Sequence, residues 1–499
     1  MSHNRKKRTK NKQENVNRST IPQHHRQGTL LTPPLANLPK LSFSSWRDNR
    51  LPEMLWAVLL VSNLQRTDAL NVFRELADYL SQFRGKETSR PSDITLSGLS
   101  EFDDKILIGA LKIITRTQER IDAVTPLMLL KDFPAKTKWE KFLKAPSSED
   151  WSRLMMAVAK TLDHQSQEST DCRWLRVICM MATGLLSLPT EEMAKEYIYY
   201  PDFGEQRKVR PSIRASEMAF NMMDEKQRSW SPKFWEQCLS DTPCFPLPDK
   251  STDSPPIVGT TPNLVKKTYL SLVNYCSETT VTTETNAKHD TVFGIALYSL
   301  GILQELLRIG ASQSITSRLA LRTLSECYIT LAYLTKKDNP ELWKSYRVFG
   351  AGQAKLQFLK FEEMDELPGY VHSDTLSVLA NEDVWEEFLL IELGHWEKAN
   401  LRDISIQADV KDIYDKFYGW TSSFSHGHWG AIRDSVFDTC ANPLHRLHRI
   451  PRNTTRALPD VIPDTCYLVD EILELLSINY PTFSERVTMA ESSESPKSA

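Results

Sequence analysis

Two groups of side chains in the second half of this chain have the types and spacing needed for acid–base or phosphoryl chemistry. The first is a predicted helix face with arginine and glutamate four residues apart, and the second is a Ser-His-Gly-His run about a hundred residues later. Histidine donates or accepts protons near neutral pH, and arginine stabilises charge that develops on a phosphoryl group. The predicted catalytic residues are Arg322, Glu326, Ser425, His426 and His428.

Each group also has a purely structural explanation. Arg322 and Glu326 are spaced as a surface ion pair that contributes roughly 0.2–0.5 kcal/mol to helix stability. The histidines follow an aromatic segment that is predicted to be helical and to break at Gly427, where an imidazole can simply cap carbonyl groups. The sequence leaves both alternatives open.

Histidine and cysteine, the preferred side chains for zinc, are concentrated in the last third of the chain. The candidate ligands among them are His395, His426, His428, His445, His448 and Cys440. His445 and His448 are spaced to share one face of a helix, but no carboxylate stands at the offset typical of zinc peptidases. The prediction is therefore that the protein binds no metal and no cofactor.

Positive charge is concentrated at the start of the chain and again after Arg433. The first 28 residues contain eight lysines and arginines against the single Glu14, a formal charge of +7 in a chain whose net charge is -3. Such segments attract phosphate backbones, although they also occur as solubilising tails and solvated loops. The predicted nucleic-acid-binding residues are Arg5, Lys6, Lys7, Arg8, Lys10, Lys12, Arg433, Arg446 and Arg449.

A further polar face is predicted on a helix over residues 382–399. Glu392 and His395 lie three residues apart there, so the carboxylate can orient the imidazole, and a solvated acidic face explains the same spacing. Gly350 and Gly352 follow no strand and precede no Lys-Ser/Thr pair, which favours close helix packing over a phosphate loop.

The elements that position these groups are predicted to be helices. Apolar residues recur every three to four positions, and no alternating strand pattern lies between Asn-Gly or Asp-Gly turns. The fold class is therefore all-α, with an N-terminal irregular helical bundle, a C-terminal helical bundle and a disordered basic N-terminal arm. Helices that bear on the candidate residues are predicted over 313–335, 409–424 and 429–440.

The length of 499 residues exceeds what one compact core accommodates, so two folded domains are expected. Six prolines between 241 and 262 mark the connection between them. The predicted ranges are a disordered basic arm over 1–45, an N-terminal helical domain over 46–240, a Pro-rich linker over 241–262, a C-terminal helical bundle over 263–485 and a disordered tail over 486–499.

Composition and targeting signals predict a cytoplasmic protein. Eight cysteines without Cys-x-x-Cys spacing, and no secretory signal peptide ahead of them, are typical of reduced thiols. The longest apolar runs are about a dozen residues, shorter than the roughly 20 that a transmembrane helix needs, so no membrane association is expected.

Three short motifs carry a resemblance to a known family. They are Arg322-x-x-x-Glu326, Trp343-x-x-Tyr346-x-x-x-Gly350 and Ser425-x-x-His428. In this order they resemble a bacterial helical family of unknown function, number 5677 in its series, over about 260–480. The resemblance implies that the Arg, Glu, Ser and His positions form an internal polar cluster, in proteins that often accompany antiviral-defence or mobile-element functions.

A more distant similarity is to the helical ribonucleases of prokaryotic toxins and defence effectors, whose motif is an arginine followed four to six residues later by a histidine. Here Arg433 follows the histidines, and Arg322 is followed by Glu326. Whether the protein is an enzyme is left undetermined.

The leading hypothesis is a macromolecule-binding helical protein with RNA, DNA or a protein as partner, in a bacterial antiviral-defence or mobile-element context. The alternatives are a hydrolase, in particular a ribonuclease effector that uses the His, Arg and Glu cluster, and a structural scaffold.

Overall fold

The computed structural model describes residues 24–32, 45–84, 92–221, 230–247, 260–381, 389 and 391–488. The chain divides into two compact units: the first comprises Met1–Pro246 with Thr439–His448, and the second comprises Leu247–Asp438 with Arg449–Ala499. Segment 439–448, which the predicted ranges assign to the C-terminal bundle, thus packs with the first unit. Most of the predicted arm, residues 248–259 of the predicted linker, and the chain after 488 lie outside the described residues.

Helices dominate the described part of both units, which confirms the all-α class. The strands described are short and form two two-stranded sheets. In the first sheet β1 (His25–Gln27) pairs antiparallel with β2 (Leu30–Thr32). In the second, β3 (Phe437–Thr439) pairs with β4 (Arg449–Pro451).

The helical part of the first unit begins with a π-helix at Trp46–Arg50 that continues directly into the first α-helix. Its helices are α1 (Leu51–Glu53), α2 (Leu55–Asn63), α3 (Arg66–Ser81), α4 (Leu96–Ser100), α5 (Asp104–Ile114), α6 (Gln118–Val124), α7 (Lys136–Trp139), α8 (Glu149–Thr161), α9 (Gln167–Ala182), α10 (Glu191–Ile198), α11 (Gln206–Asn221) and α12 (Trp230–Asp241). One continuous apolar core joins them and includes buried Trp56, Trp139 and Trp174.

Short polar side chains begin many of these helices. Their oxygen atoms accept a backbone N–H of the first turn, which contributes about 1 kcal/mol at each helix start. In the first unit these N-caps are Thr95, Asp103, Thr117, Ser166 and Thr190. Local sequence therefore fixes several helix starts independently of the core.

Helix α9 lies at the centre of the first unit and is buried on nearly every side from Ser169 to Met180. It packs against α2, α3, α8 and α11. Because its buried stretch includes charged side chains as well as apolar ones, the charged groups must find partners inside the unit.

The second unit is built around α14, α15 and α22, which pack against one another. Its helices are α13 (Pro262–Thr279), α14 (Ala287–Ile309), α15 (Ile315–Lys337), α16 (Pro340–Glu362), α17 (Ser373–Ala380), α18 (Leu401–Gln407), α19 (Lys411–Ile413), α20 (Gly419–Ser425), α21 (Trp429–Val436) and α22 (Ile462–Asn479). A π-helix at Tyr414–Tyr418 joins α19 to α20.

Among the described residues, α14 is the one helix that is long enough and apolar enough to cross a membrane. Core helices pass the same test, and Val292, Phe293, Leu300 and Leu303 of α14 are buried in the core of the second unit.

Two predicted helices differ from the structure. The helix predicted over 429–440 ends at Val436, and the chain continues as β3. Of the helix predicted over 382–399, residues 382–388 and 390 lie outside the described part, and residues 391–399 are not helical. Gly394 in that stretch disfavours a helix by about 1 kcal/mol relative to alanine.

Candidate functional site

The predicted Arg322–Glu326 pair forms on α15. Arg322 Nη2 lies 3.0 Å from Glu326 Oε1 and donates to the Tyr418 hydroxyl at 3.1 Å, with its guanidinium 5.0 Å from the centre of the Tyr418 ring. Burial raises the pKa of Glu326, and the charges of Arg322 and His395 act in the opposite direction. The pair is therefore partly sheltered and is tied to the π-helix before α20.

The predicted histidines belong to the same unit and follow α20, which packs against α15. Ser425, His426 and His428 are exposed at the end of α20, where Gly427 has a φ of 59° as the predicted helix break requires. The rings of His426 and His428 stack on each other with centroids 5.7 Å apart. Among the described contacts, none joins these residues to Arg322 or Glu326.

The polar cluster of the second unit thus contains a guanidinium, a carboxylate and a phenol. The imidazole whose charge acts on Glu326 belongs to His395, which the sequence had paired with Glu392. A catalytic role for Arg322, Glu326, Ser425, His426 or His428 stays a prediction.

The basic residues predicted to bind nucleic acid fall into separate places. Arg5 to Lys12 lie outside the described residues. Arg433 and Arg449 belong to the second unit, whereas Arg446 belongs to the first. Arg446 lies 2.9 Å from Asp48 and stacks over Trp235, so part of its charge is neutralised locally. The basic run after Arg433 therefore does not form one patch within one unit.

The first unit contains an arginine-rich pocket that sequence analysis missed. Its wall comes from the π-helix at Trp46–Arg50, the end of α8, the centre of α9 and the middle of α11. The cavity measures about 490 Å³, within the range of small-ligand sites. Its lining includes Trp46, Arg47, Arg50, His164, Arg173 and Arg214. His164 and Ala215 are exposed, so the pocket opens to solvent.

Glu217 is the carboxylate on which the arginines at the base of the pocket converge. This side chain of α11 is fully buried and is paired with Arg50 and Arg176. Arg173 Nε is 3.7 Å from Glu217, too far for a hydrogen bond, and has no hydrogen-bond partner in the described part of the chain. Among the described residues, these four groups, three guanidiniums and one carboxylate, together carry a formal charge of +2.

Desolvation and neighbouring positive charges lower the pKa values of two groups in the pocket, Arg173 and His164. Burial, reinforced by the charges of Arg50 and Arg214 and opposed by Glu217, lowers the pKa of Arg173 to about 9, which leaves it charged at neutral pH. Although His164 is exposed, desolvation beside the pocket and the charge of Arg173 lower its pKa. An anion in the pocket would relieve both effects, because negative charge favours the protonated forms.

The first unit also brings together four potential metal ligands. Cys244, Cys440, His445 and His448 each direct one ligand atom into a group whose members all lie within 4.8 Å of one another. His445 and His448 do not share a helix face as the spacing predicted, because Pro443–His445 forms a single 3-10 turn followed by residues with positive φ. Cys244 lies about two hundred residues away in sequence and was not grouped with them.

Comparison with known proteins gives one match. Residues 302–442 match the model of a family of unknown function (DUF5677). The match confirms the resemblance to this family of unknown function, over a shorter range than the expected 260–480. No curated protein and no solved structure matches the chain.

The matched region contains the Arg322–Glu326 pair and the Ser425–His428 run but not the arginine pocket. A signal for the pocket was nonetheless present in the sequence. Arg173 and Arg176 interrupt the apolar run of α9. No acidic residue lies three or four positions from either of them along the helix, and their carboxylate partner is the distant Glu217. Arginines inside an otherwise buried helix require a distant carboxylate or a ligand.

Proposed function

We propose that this protein binds nucleic acid and that the arginine pocket of the first unit holds one of its phosphate groups. The single observation that carries the proposal is the excess of buried positive charge around Glu217, beside a cavity that opens to solvent. Phosphate oxygens are the preferred partners of arginine, which presents several N–H donors in a fixed plane.

The pocket offers donors at two depths. Arg173, with a buried Nε that lacks a partner among the described residues, lies at the base, and half-buried Arg47 and Arg214 stand nearer the opening. Arg214 donates to the Thr170 hydroxyl at 3.2 Å through one nitrogen, which leaves further N–H groups of the same guanidinium for a ligand. The positive arm predicted over residues 1–28 supplies long-range attraction to the same polymer.

Binding of labelled single-stranded RNA and DNA, measured by fluorescence anisotropy at low and high salt, tests the proposal. The proteins compared are the full chain, a chain lacking residues 1–28, and the full chain with Arg214→Ala. We expect Arg214→Ala to weaken binding about 10-fold or more, because a charged hydrogen bond contributes about 1.5–3 kcal/mol. Arm deletion should reduce the salt dependence as well as the affinity.

Arg207→Ala is the matched control, since Arg207 lies on the same helix, is exposed and is absent from the pocket lining. Equal affinities for the Arg207→Ala and Arg214→Ala proteins would remove the pocket from the proposal. No binding by the full chain at low salt would refute nucleic-acid binding altogether.

Two expectations rest on resemblance or on residue type alone and are kept as hypotheses. The antiviral-defence or mobile-element context comes from the resemblance of the second unit. The hydrolase alternative requires a catalytic His428, and RNA cleavage by the full chain that His428→Ala abolishes would support it.

A further inference from the structure

We propose that Cys244, Cys440, His445 and His448 bind one zinc ion within the first unit, as a structural site. Two thiolates and two imidazoles form a ligand set that favours tetrahedral zinc. The site is independent of the arginine pocket and of any nucleic-acid binding.

Three of the six distances between ligand atoms match those that a shared metal would impose, and the other three are at most 4.8 Å. His445 Nδ1 lies 3.4 Å from Cys440 Sγ and 3.5 Å from Cys244 Sγ, and His448 Nε2 lies 3.3 Å from Cys244 Sγ. Zinc–sulfur bonds of about 2.3 Å and zinc–nitrogen bonds of about 2.0 Å at a tetrahedral angle place sulfur and nitrogen about 3.5 Å apart. The arrangement therefore needs little adjustment to surround one ion.

The hydrogen bonds behind His445 fix which nitrogen faces the group. The Thr242 hydroxyl gives its only proton to the Cys238 carbonyl oxygen at 2.7 Å, so its contact with His445 Nε2 at 2.9 Å requires the imidazole to donate. The proton of neutral His445 is thus on Nε2, and Nδ1 presents a lone pair to the two sulfurs. Metal-bound histidines typically have this kind of partner on the second nitrogen.

The backbone also prepares Cys440 for a negative charge. The Phe245 N–H donates to Cys440 Sγ at 3.4 Å, and the Ala441 N–H donates to the Phe245 carbonyl oxygen at 2.8 Å. Pro246 and Cys440 form an isolated antiparallel bridge, so the two cysteine-bearing segments lie side by side. A thiolate is the form that binds zinc, and an N–H donor stabilises it.

The turn between the histidines is shaped to bring both rings to the same point. Arg446 and Leu447 have φ values of 52° and 57°, a conformation that costs about 1–2 kcal/mol per residue for side chains of this size. The His448 carbonyl oxygen accepts the Cys440 N–H at 2.9 Å, which closes the loop on itself. The 3-10 turn at Pro443–His445 packs against α8 and α12 of the same unit.

Four protein ligands leave no open position, which is the property of structural zinc sites. Such a site joins residue 244 to a segment almost two hundred residues later. We therefore expect zinc to stabilise the first unit, with stability lost when the ion is removed.

The experiment is to measure metal content and thiol state of the full chain purified under reducing conditions without chelator. We expect one zinc per chain, and on replacement with cobalt the visible absorption of a tetrahedral ion together with a thiolate-to-cobalt charge-transfer band. Cys244→Ser, at an exposed position that tolerates substitution, should weaken that band and release zinc to a competing chelator. Thr242→Val, which keeps all four ligands, should weaken zinc affinity about 10–100-fold.

Cys276→Ser and His372→Ala are the matched controls, because they remove a thiol and an imidazole outside the group. Both should retain zinc and the cobalt spectrum of the unsubstituted protein. Failure of the full chain to take up zinc from a weak chelator would overturn the proposal. So would an unchanged cobalt spectrum in Cys244→Ser, or a disulfide between Cys244 and Cys440 in the purified protein.

Discussion

Replacing Glu217 by glutamine isolates the electrostatics of the arginine pocket. The substitution keeps the shape of a fully buried side chain and removes a carboxylate that contacts Arg50 and Arg176 and lies near Arg173. The formal charge of this buried group rises from +2 to +3.

The expected loss of stability follows from the burial of every member. Removing one partner from a buried ion pair costs about 3–5 kcal/mol, because the remaining charge stays desolvated and uncompensated. Two arginines lose a direct partner here, so we expect a loss in the first unit at the upper end of that range. For a unit of this size the corresponding fall in the melting temperature is about 10–20 °C.

Thermal unfolding followed by tryptophan fluorescence measures the effect, since Trp46 and Trp174 are buried close to the arginines. Glu191→Gln, which removes an exposed carboxylate paired with Lys195, is the control and should change stability by less than about 0.5 kcal/mol. Added phosphate should restore more stability to the Glu217→Gln protein than to the unsubstituted one. If Glu217→Gln unfolds like the control, Glu217 does not compensate these arginines and the charge argument for the pocket fails.

Three further outcomes follow from individual contacts. The His164 imidazole, followed by NMR against pH, should titrate below the usual histidine pKa in the ligand-free protein and move upward with added phosphate; no movement would contradict an anion site beside it. In chemical unfolding, Arg322→Ala should lower the free energy of unfolding by about 1 kcal/mol at pH 8 and by less at pH 5. Burial raises the pKa of Glu326, and the protonated acid that forms as the pH falls needs no cation beside it. An equal loss at both pH values would refute this. Asp171→Asn should destabilise the first unit by about 2–3 kcal/mol, since buried Asp171 accepts two hydrogen bonds from Arg66 at 2.8 and 2.9 Å, and a loss below 1 kcal/mol would contradict it.

Local patterns predicted the helices well and the contacts between distant helices poorly. The periodicity over 313–335 identified α15 within two residues at each end, and the four-residue spacing identified the Arg322–Glu326 pair on it. Both depend on neighbours in sequence. Tyr418, which accepts a hydrogen bond from Arg322, reaches the pair because α15 packs against a π-helix. No periodic pattern in the sequence predicts that contact.

In the first unit, even more of the important contacts join residues that are distant in sequence. Glu217 meets Arg50 and Arg173 across separations of more than forty residues, and Cys244 meets Cys440 across almost two hundred. Nothing in residue type or spacing pairs such positions. Segment 439–448 was assigned to the C-terminal bundle for a related reason, since continuity along the chain is the default assumption and tertiary packing overrides it here.

The place of segment 439–448 affects the order in which the protein can mature during synthesis. Leu444 is part of the core of the first unit, yet 192 residues from Leu247 to Asp438 are translated between the two parts of that core. At about 5–20 residues per second the ribosome needs roughly 10–40 s to cross that interval. Throughout this time the core of the nascent first unit lacks Leu444, so its completion waits until the whole of Leu247–Asp438 has been translated.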